Sequence, residues 1–266
     1  MYPAAPNLRE GVSPMKTQVY VGEERARDRA VGLEFADIRK FQSGDLTRRI
    51  NWPVTARQRE PYVNLQYPDH NADIVLVIDS FSDFRVGIDG TLAWEGRAVA
   101  ALAQFHLNRR DRVGVISYGG VLTSLAPGAG VSQRFRILDT LIDTKVVSSY
   151  ERPAMRVLPP RSLPPQAVVV VITPLADRRI VQLLLDLRGR GCDLAVVAVD
   201  PERFIAQAHE ATEGISRRIW RLSRLAQRRE LGRSGIRLIR WDTTEPLDSV
   251  LVQLNQMRHG QWRVPG

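Results

Sequence analysis

Three unbroken apolar runs constrain this chain more than any other feature: Ala72 to Asp79 (ADIVLVID), Ala167 to Thr173 (AVVVVIT) and Asp193 to Val199 (DLAVVAV). A strand with one wet face alternates apolar and polar residues, whereas a continuous apolar run suits a strand covered on both faces, as in a parallel sheet. Helical spacing fills the gaps, over Thr91 to Asn108, Val131 to Asp143, Asp177 to Arg190 (stopped by Gly191) and Pro246 to Met257. Phe204 to Leu231 also reads as helical, in one piece or in two around Gly214. Shorter strands are expected at Arg112 to Tyr118, Val121 to Leu125 and, edge-like, Ile236 to Trp241. The proline-rich stretch Ser148 to Pro165 reads as an irregular crossover, because the alternation resumes directly after it. Strand and helix in alternation predict an α/β fold, a mostly parallel sheet flanked by helices, over residues 69–260.

Two segments precede it. Residues 1–31 have no sustained period and read as an extended, partly mobile lead-in. Residues 32–68 are dense in charge and aromatics, and are neither a periodic helix nor an alternating strand until the short strand expected at Tyr62 to Leu65. Glu34, Arg39, Asp45, Arg48, Arg49, Trp52 and Arg57 are its candidate binding residues. Arg pairs bidentately with carboxylates and stacks on aromatic faces. The set therefore reads either as a buried network pinning this segment onto the domain, or as a partner-recognition surface.

This segment resembles the signature of the domain-of-unknown-function 58 family. The matching positions are Gly32, Glu34, Phe35, Arg39, Phe41, Gly44, Asp45, Arg48 or Arg49, Ile50, Trp52, Ala56 and Arg57. The resemblance implies membrane-anchored relatives, with an N-terminal hairpin and a small β-domain ahead of the signature. It places this chain on the cytoplasmic side of a bacterial membrane, as the soluble portion of such a protein or as a short member. It also implies a MoxR-type AAA+ ATPase and a client complex as partners.

Cys192 is the one cysteine, which excludes an intrachain disulfide and a thiolate metal cluster; it reads as a small buried hydrophobe. No apolar run approaches the length of a bilayer span. The net charge of +9 is concentrated between Arg217 and Arg240, where Glu230 is the only acid. There, Ile215, Ile219, Leu222 and Leu225 form a stripe complementary to the arginines, which predicts a helix packing its apolar stripe inward and its Arg face outward, near anionic phospholipid if the protein is membrane-anchored. Nucleic-acid surfaces interleave aromatics with cations, and Trp220 alone does not, so no nucleic-acid partner is expected.

In open α/β sheets ligands bind beyond the carboxyl ends of the strands. Asp79 and Asp177 fall there, and with the order of elements they resemble a von Willebrand factor A-like (Rossmann-like) domain, whose first strand ends in D-x-S-x-S and holds a divalent cation. Here Asp79-Ser80-Phe81-Ser82-Asp83 puts Phe81 and Asp83 at the two Ser positions. The resemblance implies Asp79, Asp83 and Asp177 as ligands of Mg2+, with Thr140 or Thr144 as the missing hydroxyl. The alternative is that Asp79 caps a loop by accepting backbone N–H bonds. Nucleotide-binding fingerprints, a G-x-S-x-G elbow and H-E-x-x-H are absent from the sequence, and His106 reads as a packing residue. The expectation is a non-enzymatic adaptor or scaffold; the alternatives are a metal-independent structural component of a membrane-associated assembly and, behind it, a basic nucleic-acid binder.

Overall fold

The computed structural model describes residues 8–15, 35–42, 47, 50–66, 72–87, 89–149, 160–205 and 211–260. These fall into two compact units, one within residues 17–71 and one built from residues 72 onward together with the opening stretch.

In the first unit, strand β1 (Phe35–Lys40) is followed by helix α1 (Trp52–Gln58) and strand β2 (Tyr62–Gln66), and the strands pair antiparallel. Asn51 caps α1 by accepting the Val54 N–H (3.2 Å), Pro53 occupies its first turn, and Arg59 ends it in the left-handed region (φ 58°). The Tyr62 N–H donates to the Thr55 hydroxyl (3.0 Å), tying helix to strand. The short strand expected at Tyr62 to Leu65 is present as β2, whereas β1 and α1 were not expected. Elements of six and seven residues are too short to show a period, and local capping defines them instead.

In the second unit, strand β3 (Asp73–Ser80) leads through two short strands, β4 (Arg85–Val86) and β5 (Asp89–Gly90), into helix α2 (Thr91–Asn108). Then come β6 (Arg112–Gly119), β7 (Thr123–Gly128), α3 (Gly130–Asp143), β8 (Val168–Thr173), α4 (Arg178–Gly189), β9 (Asp193–Val199), α5 (Ala211–Arg233), β10 (Leu238–Trp241) and α6 (Leu247–Arg258). The six-stranded sheet has the order β10-β9-β8-β3-β6-β7, parallel except for the edge strand β7. This is the expected mostly parallel sheet flanked by helices. Alternate residues of each central strand face opposite layers. Ile74, Leu76 and Ile78 pack with α2 and α6, while Val75 and Val77 pack with α4. That two-sided burial is why the strand sequences are apolar throughout.

The opening stretch is not free along residues 8–15. Asp248 Oδ1 accepts the Arg9 and Glu10 N–H groups, Asn255 the Ser13 N–H, and Asp193 the Met15 N–H. Val12 is buried, and its N–H donates to Nε2 of the buried His106, whose Nδ1 meets Asp111 at 2.8 Å. His106 is thus a packing residue, as expected. Among the described residues, no helix is long and apolar enough to cross a membrane.

The main reversal concerns α5. It runs unbroken through Gly214, and the side bearing Arg217, Arg224 and Arg228 points inward: Arg224 is 4% exposed, whereas Ile215, Ile219, Leu222 and Leu225 are 61%, 60%, 58% and 43% exposed. The amphipathic period was legible, but its polarity is inverted, because Arg224 finds partners beneath it that no apolar side chain would satisfy.

Candidate functional site

The site forms where β3 and β8 end side by side. Asp79, at 1% exposure, occupies the penultimate position of β3. Its Oδ1 accepts the Phe81 N–H (3.0 Å), and its Oδ2 accepts the hydroxyl of Thr173, the last residue of β8 (2.6 Å). Thr173 in turn accepts the Leu175 N–H (2.8 Å), fixing a turn in which Leu175 takes φ 51°. Beneath, the Asp79 N–H donates to Oε2 of Glu95 on α2 (3.2 Å); Glu95 is fully buried and its Oε1 has no partner. Burial pushes the Asp79 pKa up to about 6, with the Thr173, Phe81 N–H and Arg179 contacts opposing the rise and Asp177 adding to it. Burial, reinforced by the charges of Asp79 and Asp83, holds Glu95 well above the usual carboxylate range.

Asp177 lies across from this pair and caps α4. Its Oδ1 accepts the Arg179 N–H (2.8 Å), and the carboxylate holds the Arg179 guanidinium in a fork, Nε to Oδ1 at 3.0 Å and Nη2 to Oδ2 at 2.7 Å. The same guanidinium donates to the Ser149 carbonyl (2.6 Å) and stacks 3.9 Å from the centroid of the Phe81 ring. Phe81 meets Tyr118 edge-on at 5.2 Å. Burial works against the Asp177 charge, but the Arg179 contacts outweigh it and lower its pKa. Asp83 is committed elsewhere: its Oδ1 accepts the Leu92 N–H (3.0 Å) at the first turn of α2, which has no side-chain cap of its own, and Oδ2 pairs with Arg85.

The three expected ligands do gather at one end of the sheet, but they do not fit a cation. Asp79 already accepts protein donors on both oxygens, Asp83 serves a helix end, and Asp177 is held in the Arg179 fork. Among the described residues, no group of three or more His, Cys, Asp or Glu side chains is arranged to hold a metal ion. Thr140 and Thr144 do not complete a shell either; each hydroxyl donates one turn back, to the Arg136 and Thr140 carbonyls. Position 81 explains the departure. Where a Ser would offer an oxygen, Phe81 offers a ring face, and a guanidinium stacks on it. Thr173, Glu95 and Arg179 were missed from sequence. The available signals were a lone acid at a core-facing position of α2 and an Asp-x-Arg at the start of α4.

A second charged cluster ties α5 to the same end of the sheet. Asp200, just beyond β9, accepts the Glu202 N–H (3.2 Å) and binds Arg224 on α5 and Arg240 on β10. Arg224 also donates to the Pro174 carbonyl (3.1 Å) and lies over Trp220, which packs on Phe84. Burial lowers the Arg224 pKa to about 10, with neighbouring Arg228 adding to the fall and Asp200 opposing it. Asp200 is held low because the Glu202 N–H and the two guanidinium groups outweigh its own burial.

Of the signature residues, Trp52 begins α1 at 67% exposure and Arg57 is exposed in its last turn. The short helix buries no residue, so the sealed network expected of this segment does not include these two. Arg39 lies in β1 opposite Val63. Glu34, Asp45, Arg48 and Arg49 lie outside the described residues.

Comparison with known proteins supplies the context. The chain is 29% identical over 116 residues to uncharacterized proteins of Mycobacterium bovis and Mycobacterium tuberculosis, over 41% of this chain and 36% of theirs. The match thus spans about a third of the length of those relatives. Among solved structures, an aerotolerance-related membrane protein from Bacteroides fragilis, crystallised with multiple mutations to serines, aligns with 71% of this chain and 99% of its own at 15% identity and a TM-score of 0.41. The family model for "Protein of unknown function DUF58" matches residues 37–204, well over half the sequence, and the chain belongs to that family.

Proposed function

We propose that this chain is a protein-binding scaffold whose contact surface is the strand-end face around Phe81, Asp177 and Arg179, and that it binds without a metal ion. The observation that carries the reading is the Arg179 guanidinium, forked on Asp177 and stacked on Phe81 at the position where related folds recruit a cation. A pre-ordered Arg–aromatic pair at the switch point of an open sheet has the composition of an interface anchor. It offers fixed positive charge to an acidic residue of a partner. The partner class is the one implied by the family resemblance, a MoxR-type AAA+ ATPase acting on a client, at a membrane-associated assembly.

The test is binding of a MoxR-type ATPase to immobilised wild-type chain, Arg179→Glu and Phe81→Ala. Binding by wild type, unchanged when EDTA is added in the nucleotide-free state and lost in both variants while their folds persist by circular dichroism, supports the reading. Binding that both variants retain, or that EDTA abolishes, sinks it.

A further inference from the structure

Helix α5 presents a face that the strand-end site does not use. Its inner side is formed by Trp220, Arg224 and Leu231, with Arg217, Gln227 and Arg228 half-buried. Outward stand Ile215, Ile219, Leu222 and Leu225, each more than two-fifths exposed. Around them the exposed cations are Arg218, Arg221, Arg229 and Arg233, and between Gly214 and Arg233 the sequence holds one acid, Glu230. We propose that this face docks on an anionic lipid surface, with α5 lying flat in the headgroup layer.

The arrangement of charge decides between a lipid surface and a protein partner. At 3.6 residues per turn, Arg218 and Arg229 project between Leu225 and Leu222, inside the apolar arc and not at its rim. A protein partner would have to bring a carboxylate to each of these two guanidinium groups within an otherwise apolar contact, because a desolvated and unpaired charge there is costly. At a bilayer surface the same geometry is favourable. The aliphatic stems lie along the apolar residues while the guanidinium groups reach lipid phosphates, which they bind in a fork. A second copy of this chain would bring like charge against like. The apolar positions span about 15 Å of a convex ridge, suited to shallow insertion and not to enclosing a partner. The net charge of +9 adds long-range attraction to an anionic leaflet. This assignment stands apart from the strand-end reading, since the two use different residues and different probes.

The test is flotation of the full chain with vesicles of phosphatidylcholine alone or mixed with phosphatidylglycerol, at fixed low ionic strength. Wild type is expected to float with the mixed vesicles and to partition at least roughly tenfold less onto phosphatidylcholine. Ile219→Ser with Leu222→Ser, which leaves charge unchanged, should weaken partitioning roughly tenfold or more, as should Arg218→Glu with Arg229→Glu. Arg134→Glu with Arg136→Glu, the same change in net charge on exposed positions of α3 against the opposite layer of the sheet, should weaken it no more than about threefold. All substituted positions are exposed, so each variant should melt with wild type, and the melt is recorded beside each flotation. Three results would overturn the proposal: no flotation of wild type, undiminished flotation of the Ile219/Leu222 variant, or an equal loss from the α3 variant, which would mean diffuse attraction. Self-association or capture of an acidic amphipathic peptide through this face, with no vesicle binding, would assign it to a protein and overturn the proposal equally.

Discussion

Replacing Arg179 by Ala tests whether a guanidinium does the work of a cation at the strand ends. The substitution removes the fork on Asp177, the bond to Ser149 and the stack on Phe81, but spares the backbone N–H that makes Asp177 a helix cap. Both partners of the ion pair are 23% exposed on their side chains, so the pair contributes about 1 kcal/mol after solvent screening. A cation over the buried Phe81 ring contributes about 1 kcal/mol more. A loss of about 2 kcal/mol lowers the melting temperature of a unit of this size by about 4–8 °C. The variant also leaves Asp79 and Asp177 repelling each other without the opposing charge of Arg179. Adding Phe81→Ser restores an oxygen at the missing ligand position. This double variant should then gain stability with millimolar Mn2+, by about 2.7 kcal/mol when the ion reaches a hundred times its dissociation constant. Differential scanning calorimetry of wild type, single and double variants, with and without Mn2+, reads all of this. If wild type itself is stabilised by the ion, and Asp79→Asn abolishes that gain, a cation coexists with Arg179 and the reasoning is refuted.

Other consequences are as direct. A carboxyl whose folded pKa is raised, as at Asp79, contributes stability below its unfolded pKa that is lost as pH rises through about 6. Asp79→Asn should therefore gain on wild type by up to about 3 kcal/mol between pH 4 and 7 in chemical denaturation, and a pH-independent difference would count against the buried charge. Arg224→Met leaves Asp200 with the Glu202 N–H and Arg240 and should cost about 2–3 kcal/mol, part of it recovered by adding Asp200→Asn; a strictly additive pair would show that the contact carries no coupling. A Cβ at Gly119 would lie 2.8 Å from the Ser80 carbonyl oxygen of the neighbouring strand, so Gly119→Ala should destabilise by about 1–3 kcal/mol, and a neutral melt would disprove that crowding.

The sheet was legible because two-sided burial leaves an unmistakable mark: nothing polar interrupts Ile74 to Ile78 or Val168 to Ile172. Asp79 was legible for a related reason, being the acid that ends such a run where ligands collect. Arg179 was not, since its role depends on Phe81, distant in sequence, and on a fork that any Asp-x-Arg might form without consequence. Periodicity located α5 but could not orient it. Side-chain hydropathy alone points its apolar stripe inward, and only Asp200 and the Pro174 carbonyl below make the Arg224 side the inner one. The signature segment failed differently, because strand and helix of six and seven residues end before a period can repeat.

Fastening α5 by ion pairs has a consequence for how the molecule breathes. A helix seated by interdigitated apolar side chains opens only with the core beneath it, whereas the inner face of α5 is charged and aromatic from Arg217 to Arg228, and among its described side chains Leu231 alone is fully sealed. Its amino-terminal two-thirds can lift away as a separate cooperative segment while the sheet stays shut, at a free energy below that of global unfolding. Amide hydrogen exchange should accordingly be faster along 214–228 than along α4, which buries Ile180, Val181, Leu183, Leu184 and Leu187 against the same layer.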